Sequence, residues 1–92
     1  MPVDPGWRLD PPDSKIGQQL FRLAGVALRA CDPLNCVPPL LPEPPKGRTL
    51  VLGAGKAAAA MAKAVEANWT GPLSGLVITR FGHGVATDKI EV

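Results

Sequence analysis

Arg48-Thr49-Leu50-Val51-Leu52-Gly53-Ala54-Gly55-Lys56-Ala57-Ala58-Ala59-Ala60-Met61 is the stretch whose reading decides the fold. A short apolar run over 48–52 meets two glycines, and a run of strong helix formers follows. The pattern predicts a strand, a tight turn at Gly53-Ala54-Gly55, and a helix over Lys56 to Trp69. On that helix Ala57, Met61 and Val65 form one row at i, i+4, with Ala60 and Ala64 beside it. Gly71-Pro72 breaks the helix. Leu76-Val77-Ile78-Thr79 reads as a second strand, closed by Arg80-Phe81-Gly82-His83-Gly84, and Ile90-Glu91-Val92 opens a third. Strand, glycine turn, helix and strand within about 30 residues is a βαβ unit. The expected fold class is therefore α/β, a Rossmann-like βαβ portion of a parallel sheet with a right-handed crossover. Near-continuous apolar strands suit a sheet covered on both faces. Two parallel strands and one helix do not cover both, so the expectation is an incomplete domain, the amino-terminal portion of a larger α/β protein.

Outward from this unit the chain changes character. Ten of the eleven prolines lie before residue 46, and seven of the ten glycines lie after it. Residues 1–13, with four prolines and three aspartates, read as an extended arm. Asp13 or Ser14 is placed to cap a helix over 14–32. Ile16, Leu20, Leu23, Ala27 and Cys31 form its apolar stripe, which Phe21 and Leu28 widen. Asp32-Pro33 ends it, because proline disfavours the α region for the residue before it. Residues 33–47 carry six prolines and read as a connector of polyproline or turn character, through which no strand can run. Residues 48–92 hold the βαβ unit.

Composition excludes several classes of function. The 92 residues are 46% hydrophobic, too apolar for a charge-rich disordered chain. The net charge is +2, there are no Lys/Arg runs, and Trp7, Phe21, Trp69 and Phe81 are not interleaved with basic residues. Neither nucleic acid nor an anionic membrane is the expected partner. No apolar stretch approaches the ~18 residues that span a bilayer, and the first residues lack the basic and apolar regions of a signal peptide. Cys31 and Cys36 are too few for a disulfide scaffold, and their spacing is not that of a zinc knuckle. Reduced thiols in a cytoplasmic protein are the expectation, with Cys31 buried on the apolar stripe.

The chemistry concentrates at Gly53-Ala54-Gly55-Lys56. Glycines at a strand end let the backbone turn sharply and let a ligand approach closely. The first amides of the following helix lack intrahelical partners and lie at the positive end of its dipole, which favours an anion. Lys56 adds a full charge there. A Walker A loop is excluded: Leu50 stands at its first glycine and Ala57 at its magnesium-binding hydroxyl. A dinucleotide fingerprint is matched by Gly53, Gly55 and Ala58, but the acid expected at the end of the second strand is absent, and Arg80 there suits a 2′-phosphate. In the third reading Lys56 binds and polarises a carboxylate or phosphate of a small substrate. Against all three stands a plain tight turn with a solvated lysine. His83 lies at the carboxyl end of the second strand, where open α/β sheets bind ligands, and is otherwise an exposed loop histidine. Arg80 is either a bidentate anion ligand or a solvated strand-end charge. Asp88 and Glu91 are isolated acids, and no metal site is expected. Trp69 is a packing residue.

Residues 47–62, Gly-Arg-Thr-Leu-Val-Leu-Gly-Ala-Gly-Lys-Ala-Ala-Ala-Ala-Met-Ala, resemble the glycerate 2-kinase family, the MOFRL-type kinases whose members are often labelled hydroxypyruvate reductase. The helix leading to Asp32-Pro33, the run Gly75 to Gly84 and the Ile90-Glu91-Val92 strand extend the resemblance over about residues 15–92. It implies ATP- and Mg²⁺-dependent phosphorylation of D-glycerate at its 2-hydroxyl, in a cleft between two α/β domains. It places the family's lysine on Lys56, which binds substrate and stabilises charge during transfer. The candidate substrate-binding set is Gly53, Ala54, Gly55, Lys56, Arg80 and His83. The family's second domain and its His-Pro segment are expected beyond Val92, so the partners expected are D-glycerate, ATP and either that domain or a second copy of the chain. An NADP-dependent hydroxypyruvate reductase and a non-catalytic, truncated anion-binding module are the alternatives.

Overall fold

A computed structural model describes residues 12–92. The expected arm, with Trp7, lies outside them except for Pro12 and Asp13. The chain divides after Asp32 into two compact units.

The first unit contributes helix α1, Lys15–Cys31. Ser14, rather than Asp13, caps it: its backbone is extended (φ −76°, ψ 148°), and its hydroxyl accepts the Gly17 amide at 3.0 Å. Asp32 leaves the helix with ψ 123°, the extended geometry that the following proline imposes. The apolar stripe forms as the spacing predicts, but no residue of α1 is buried, and Ile16, Leu20 and Leu23 are each more than half exposed. Cys31 is exposed as well, against the expectation of burial, because the stripe it lies on is itself uncovered.

The second unit opens with a short helix, α2, Pro33–Cys36, and a 3₁₀ turn over Pro38–Leu40. The first part of the proline-rich connector is thus helical turn rather than polyproline. Pro33 and Pro38 each begin a turn, where a fixed φ is pre-organised and the missing N–H costs nothing. Then come strand β1, Thr49–Ala54, helix α3, Ala58–Ala67, strand β2, Leu73–Ile78, and strand β3, Ile90–Glu91. The sheet order is β1-β2-β3, with both pairs parallel. This confirms the α/β class and the βαβ unit.

The element limits differ from the expected ones for local reasons. β1 runs on through Gly53 and Ala54, which pair with Val77 and Ile78. Helix α3 starts two residues late, because Gly55 has φ +135° and Ala57 sits at φ −97°, ψ 2°. β2 starts three residues early. Pro72, which has no N–H to give, enters the ladder as an acceptor, taking the Thr49 amide at 3.1 Å. Asn68 closes α3, its amide group donating to the Ala64 carbonyl at 2.8 Å.

One face of the sheet carries the core. Ala58 and Ala62 of α3 pack with Val77 and Ile90, with Val51 and Leu73 at the margin. Burial alternates along β2 and over Thr49 to Leu52 of β1 with the two-residue period of a strand. Leu50, Leu52, Leu76 and Ile78 therefore point to the opposite face, where they are exposed. The apolar strands suggest cover on both faces, whereas α3 covers one.

Gly75 is the tightest point of this sheet. It pairs with Val51, and a Cβ built on it lies 2.1 Å from the Val51 carbonyl oxygen. Backbone cannot yield as a flexible side-chain end can. Gly75→Ala is expected to destabilise the second unit by about 1–3 kcal/mol, the usual cost of overpacking. Urea unfolding followed by circular dichroism measures it, and an unchanged midpoint contradicts the close approach.

Candidate functional site

The candidate residues gather at the carboxyl end of the parallel sheet, where topology alone places them. Gly53 and Ala54 are the last residues of β1, and Gly55, Lys56 and Ala57 make the turn into α3. Two hydrogen bonds tie this turn to the end of β2. The Gly55 amide donates to the Ile78 carbonyl at 3.0 Å, and the Thr79 hydroxyl donates to the Lys56 carbonyl at 3.3 Å. The turn is closed by the Ala58 amide on the Gly55 carbonyl at 3.2 Å, and the first α-helical bond runs from the Met61 amide to the Ala57 carbonyl at 2.9 Å. Lys56 thus precedes the helix instead of opening it.

Arg80 follows two residues after the end of β2. It begins a four-residue turn, Arg80-Phe81-Gly82-His83, closed by the His83 amide on the Arg80 carbonyl at 3.1 Å. Gly82 has φ +82°, the left-handed geometry that a type II turn needs at its third position. Gly53, Ala54, Gly55, Lys56, Arg80 and His83 are all exposed, so the site is an open edge and not an enclosed pocket. It combines a point-charge ammonium, a guanidinium able to bind two oxygens at once, and an imidazole with two possible hydrogen-bonding edges. These groups suit a small anion. Trp69 is half-buried at the far end of α3.

Sequence reasoning missed two residues that build this edge. Thr79 stitches the Lys56 turn to β2 from 23 positions away. Glu66, on α3, accepts the amides of Asp88, Lys89 and Ile90 at 2.7, 2.7 and 3.0 Å. An acid in the last turn of a helix, at the negative end of its dipole, was the available signal.

Residues 19–92 match the family described as Domain of unknown function (DUF4147). The chain belongs to the DUF4147 family. This is the domain found in MOFRL-type glycerate kinases, so the resemblance carried by residues 47–62 and 75–84 holds, through the N-terminal part of that family. Two relatives from Agrobacterium vitis carry the name "Putative hydroxypyruvate reductase". One is 48% identical over 81 residues, covering 87% of this chain and 18% of the relative. The other is 51% identical over 47 residues, covering 50% of this chain and 12% of the relative. The DUF4147 chain therefore spans less than a fifth of the curated proteins it matches over those stretches. No solved structure matches it significantly.

The two glycines of the turn are not equivalent. A Cβ on Gly53 meets Val77 Cγ1 at 3.4 Å, an ordinary contact, whereas Gly55 has open space around it but φ +135°. Gly53→Ala is expected to cost little, and Gly55→Ala about 1–3 kcal/mol through backbone strain alone. Denaturant midpoints of the two variants check the order, and equal values refute it.

Proposed function

We propose that this DUF4147 segment supplies the substrate-anion side of an ATP-dependent glycerate 2-kinase, which converts D-glycerate to 2-phosphoglycerate. The single observation that carries the reading is the placement of Lys56. Its turn is bonded to the end of β2 through Gly55 and Thr79, so its backbone lies at the same sheet edge as the Arg80–His83 turn. Lys56 and Arg80 would hold the glycerate carboxylate, leaving the 2-hydroxyl to face the transferred group. Lys56 also offsets the negative charge that spreads over the equatorial oxygens during transfer, since such reactions depend on positioning and charge stabilisation. ATP, when bound, supplies the phosphoryl group. The exposed glycine turn with its lysine fits a phosphate by the same chemistry that fits a carboxylate. Among the described residues no group of three or more His, Cys, Asp or Glu side chains gathers, and no step is assigned to a metal ion. No helix among them is long and apolar enough to cross a membrane.

A second reading, an NADP-dependent hydroxypyruvate reductase, is favoured by one observation. Ala58 is buried, as the third position of a dinucleotide fingerprint requires for close packing of helix on strand, and Arg80 suits a 2′-phosphate.

Two assays on the complete enzyme that carries this segment separate these readings: ATP consumption with D-glycerate, and NADPH oxidation with hydroxypyruvate. The kinase reading expects the first, reduced about 10²-fold or more by Lys56→Ala. NADPH oxidation supports the reductase. Glycerate binding without either turnover leaves an anion-binding segment. Full ATP turnover in Lys56→Ala removes this lysine from the mechanism.

A further inference from the structure

Glu66 is the last residue but one of α3, where the helix dipole disfavours a carboxylate and where the last turn holds no basic residue. Its two oxygens instead collect three successive amides. Asp88 N–H donates to Oε1 at 2.7 Å, and Lys89 N–H and Ile90 N–H donate to Oε2 at 2.7 and 3.0 Å. The two shorter bonds have the length of charge-assisted ones. Thr87 closes the same bend, its hydroxyl donating to the Ile90 carbonyl. These amides lead directly into β3, which is two residues long and pairs only with Gly75 and Leu76.

The connection from Thr79 to Lys89 is therefore anchored at both ends to α3 or its entry turn. At the start Thr79 bonds Lys56, and at the end the carboxylate of Glu66 holds Asp88 and Lys89. Between these anchors lie Arg80 and His83. We propose that Glu66 is a positioning residue for the anion site, fixing the far anchor of the 79–89 connection and through it the place of Arg80 and His83 on the edge that carries Lys56. The inference rests on the reading of that edge as an anion site, yet its structural part is testable without a ligand.

Glutamine is the informative replacement. Glu66→Gln keeps the length but offers one acceptor oxygen and turns an NH₂ group toward backbone N–H. Protonation does the same to the natural residue. The amides of Asp88 and Lys89 hold the carboxyl below its ordinary value of 4.5, burial opposes them, and the Ile90 amide and the Lys63 charge assist. Lys63 on α3, Arg80, His83, Asp88 and Lys89 in the connection and Glu91 on β3 are the charged or titratable groups of the elements packed here. Because the folded-state value is depressed, the clamp is complete above the ordinary glutamate range and is lost as pH falls through the depressed value.

The experiment is nuclear magnetic resonance on the 92-residue chain and its Glu66→Gln variant. The expected result is about tenfold faster exchange at the amides of Asp88, Lys89 and Ile90, with Ala59 and Ala62 unchanged. Signals of residues 80–84 should shift without ligand, and the acid titration of the 88–90 amides in the parent should vanish in the variant. Unchanged signals over 80–84 overturn the proposal. Should the variant not fold, the parent decides: signals over 80–84 that fail to follow the 88–90 amides on acidification are equally fatal. A D-glycerate titration run alongside judges the anion site separately, since a parent that ignores glycerate defeats the functional reading and leaves the anchor result standing.

Discussion

Everything in the second unit follows from how closely α3 can lie on the sheet. Ala58 and Ala62 are the residues of α3 that pack with Val77 and Ile90 of the sheet, and methyl groups there let the helix approach further than leucines would. That proximity fixes the geometry of the turn. β1 ends beneath the start of α3 with only three residues to join them, and Gly55 makes the join at φ +135°. The same closeness lets Glu66 reach the amides before β3 and lets Thr79 reach the Lys56 carbonyl. In energy the alanines contribute little, about 0.8 kcal/mol for each methyl removed from water. Val77 and Ile90, at about 1.5–3 kcal/mol each, supply most of the apolar stabilisation on that face. The alanines set distance and the larger residues supply adhesion.

This division of labour explains what was legible in the sequence. Two glycines between an apolar run and an alanine-rich helix announce a strand, a turn and a helix, and parallel pairing follows from the connection length. The limits of the elements were less legible, because they depend on partners distant in sequence. Ala54 is strand only because Ile78 lies beside it. Pro72 belongs to the edge of the ladder because Thr49 needs an acceptor. Lys56 is turn and not helix because Gly55 adopts a φ that no periodicity reveals. The apolar strands suggested two covered faces, since hydrophobicity reports the tendency of a face to be buried and not what is present to bury it.

The candidate site divides along the same line. Gly53, Gly55, Lys56, Arg80 and His83 could be assigned to one edge from strand order alone, since the ends of parallel strands and the start of the intervening helix converge there. What holds them there could not. Thr79 acts across 23 positions and Glu66 across 22 to 24. Glu66 stands in no motif, Thr79 enters only as the end of an apolar run, and both act on backbone groups, which carry no sequence signal. Supporting contacts of this kind become visible only once the chain is folded.

Exposure bears on how strong this edge can be. Lys56, Arg80 and His83 face solvent, and two unit charges 4 Å apart in bulk water attract by only about 1 kcal/mol. At an effective dielectric of about 20 the same pair is worth about 4 kcal/mol. On the proposed reading the segment therefore offers its charges to a small carboxylate or phosphate in the environment that weakens them most. Tight binding, and still more the stabilisation of charge during phosphoryl transfer, requires that water be excluded from around Lys56 and Arg80. On the proposed reading, then, the glycine turn would confer the choice of an anion, while the strength of its hold would be governed by whatever removes solvent from that edge.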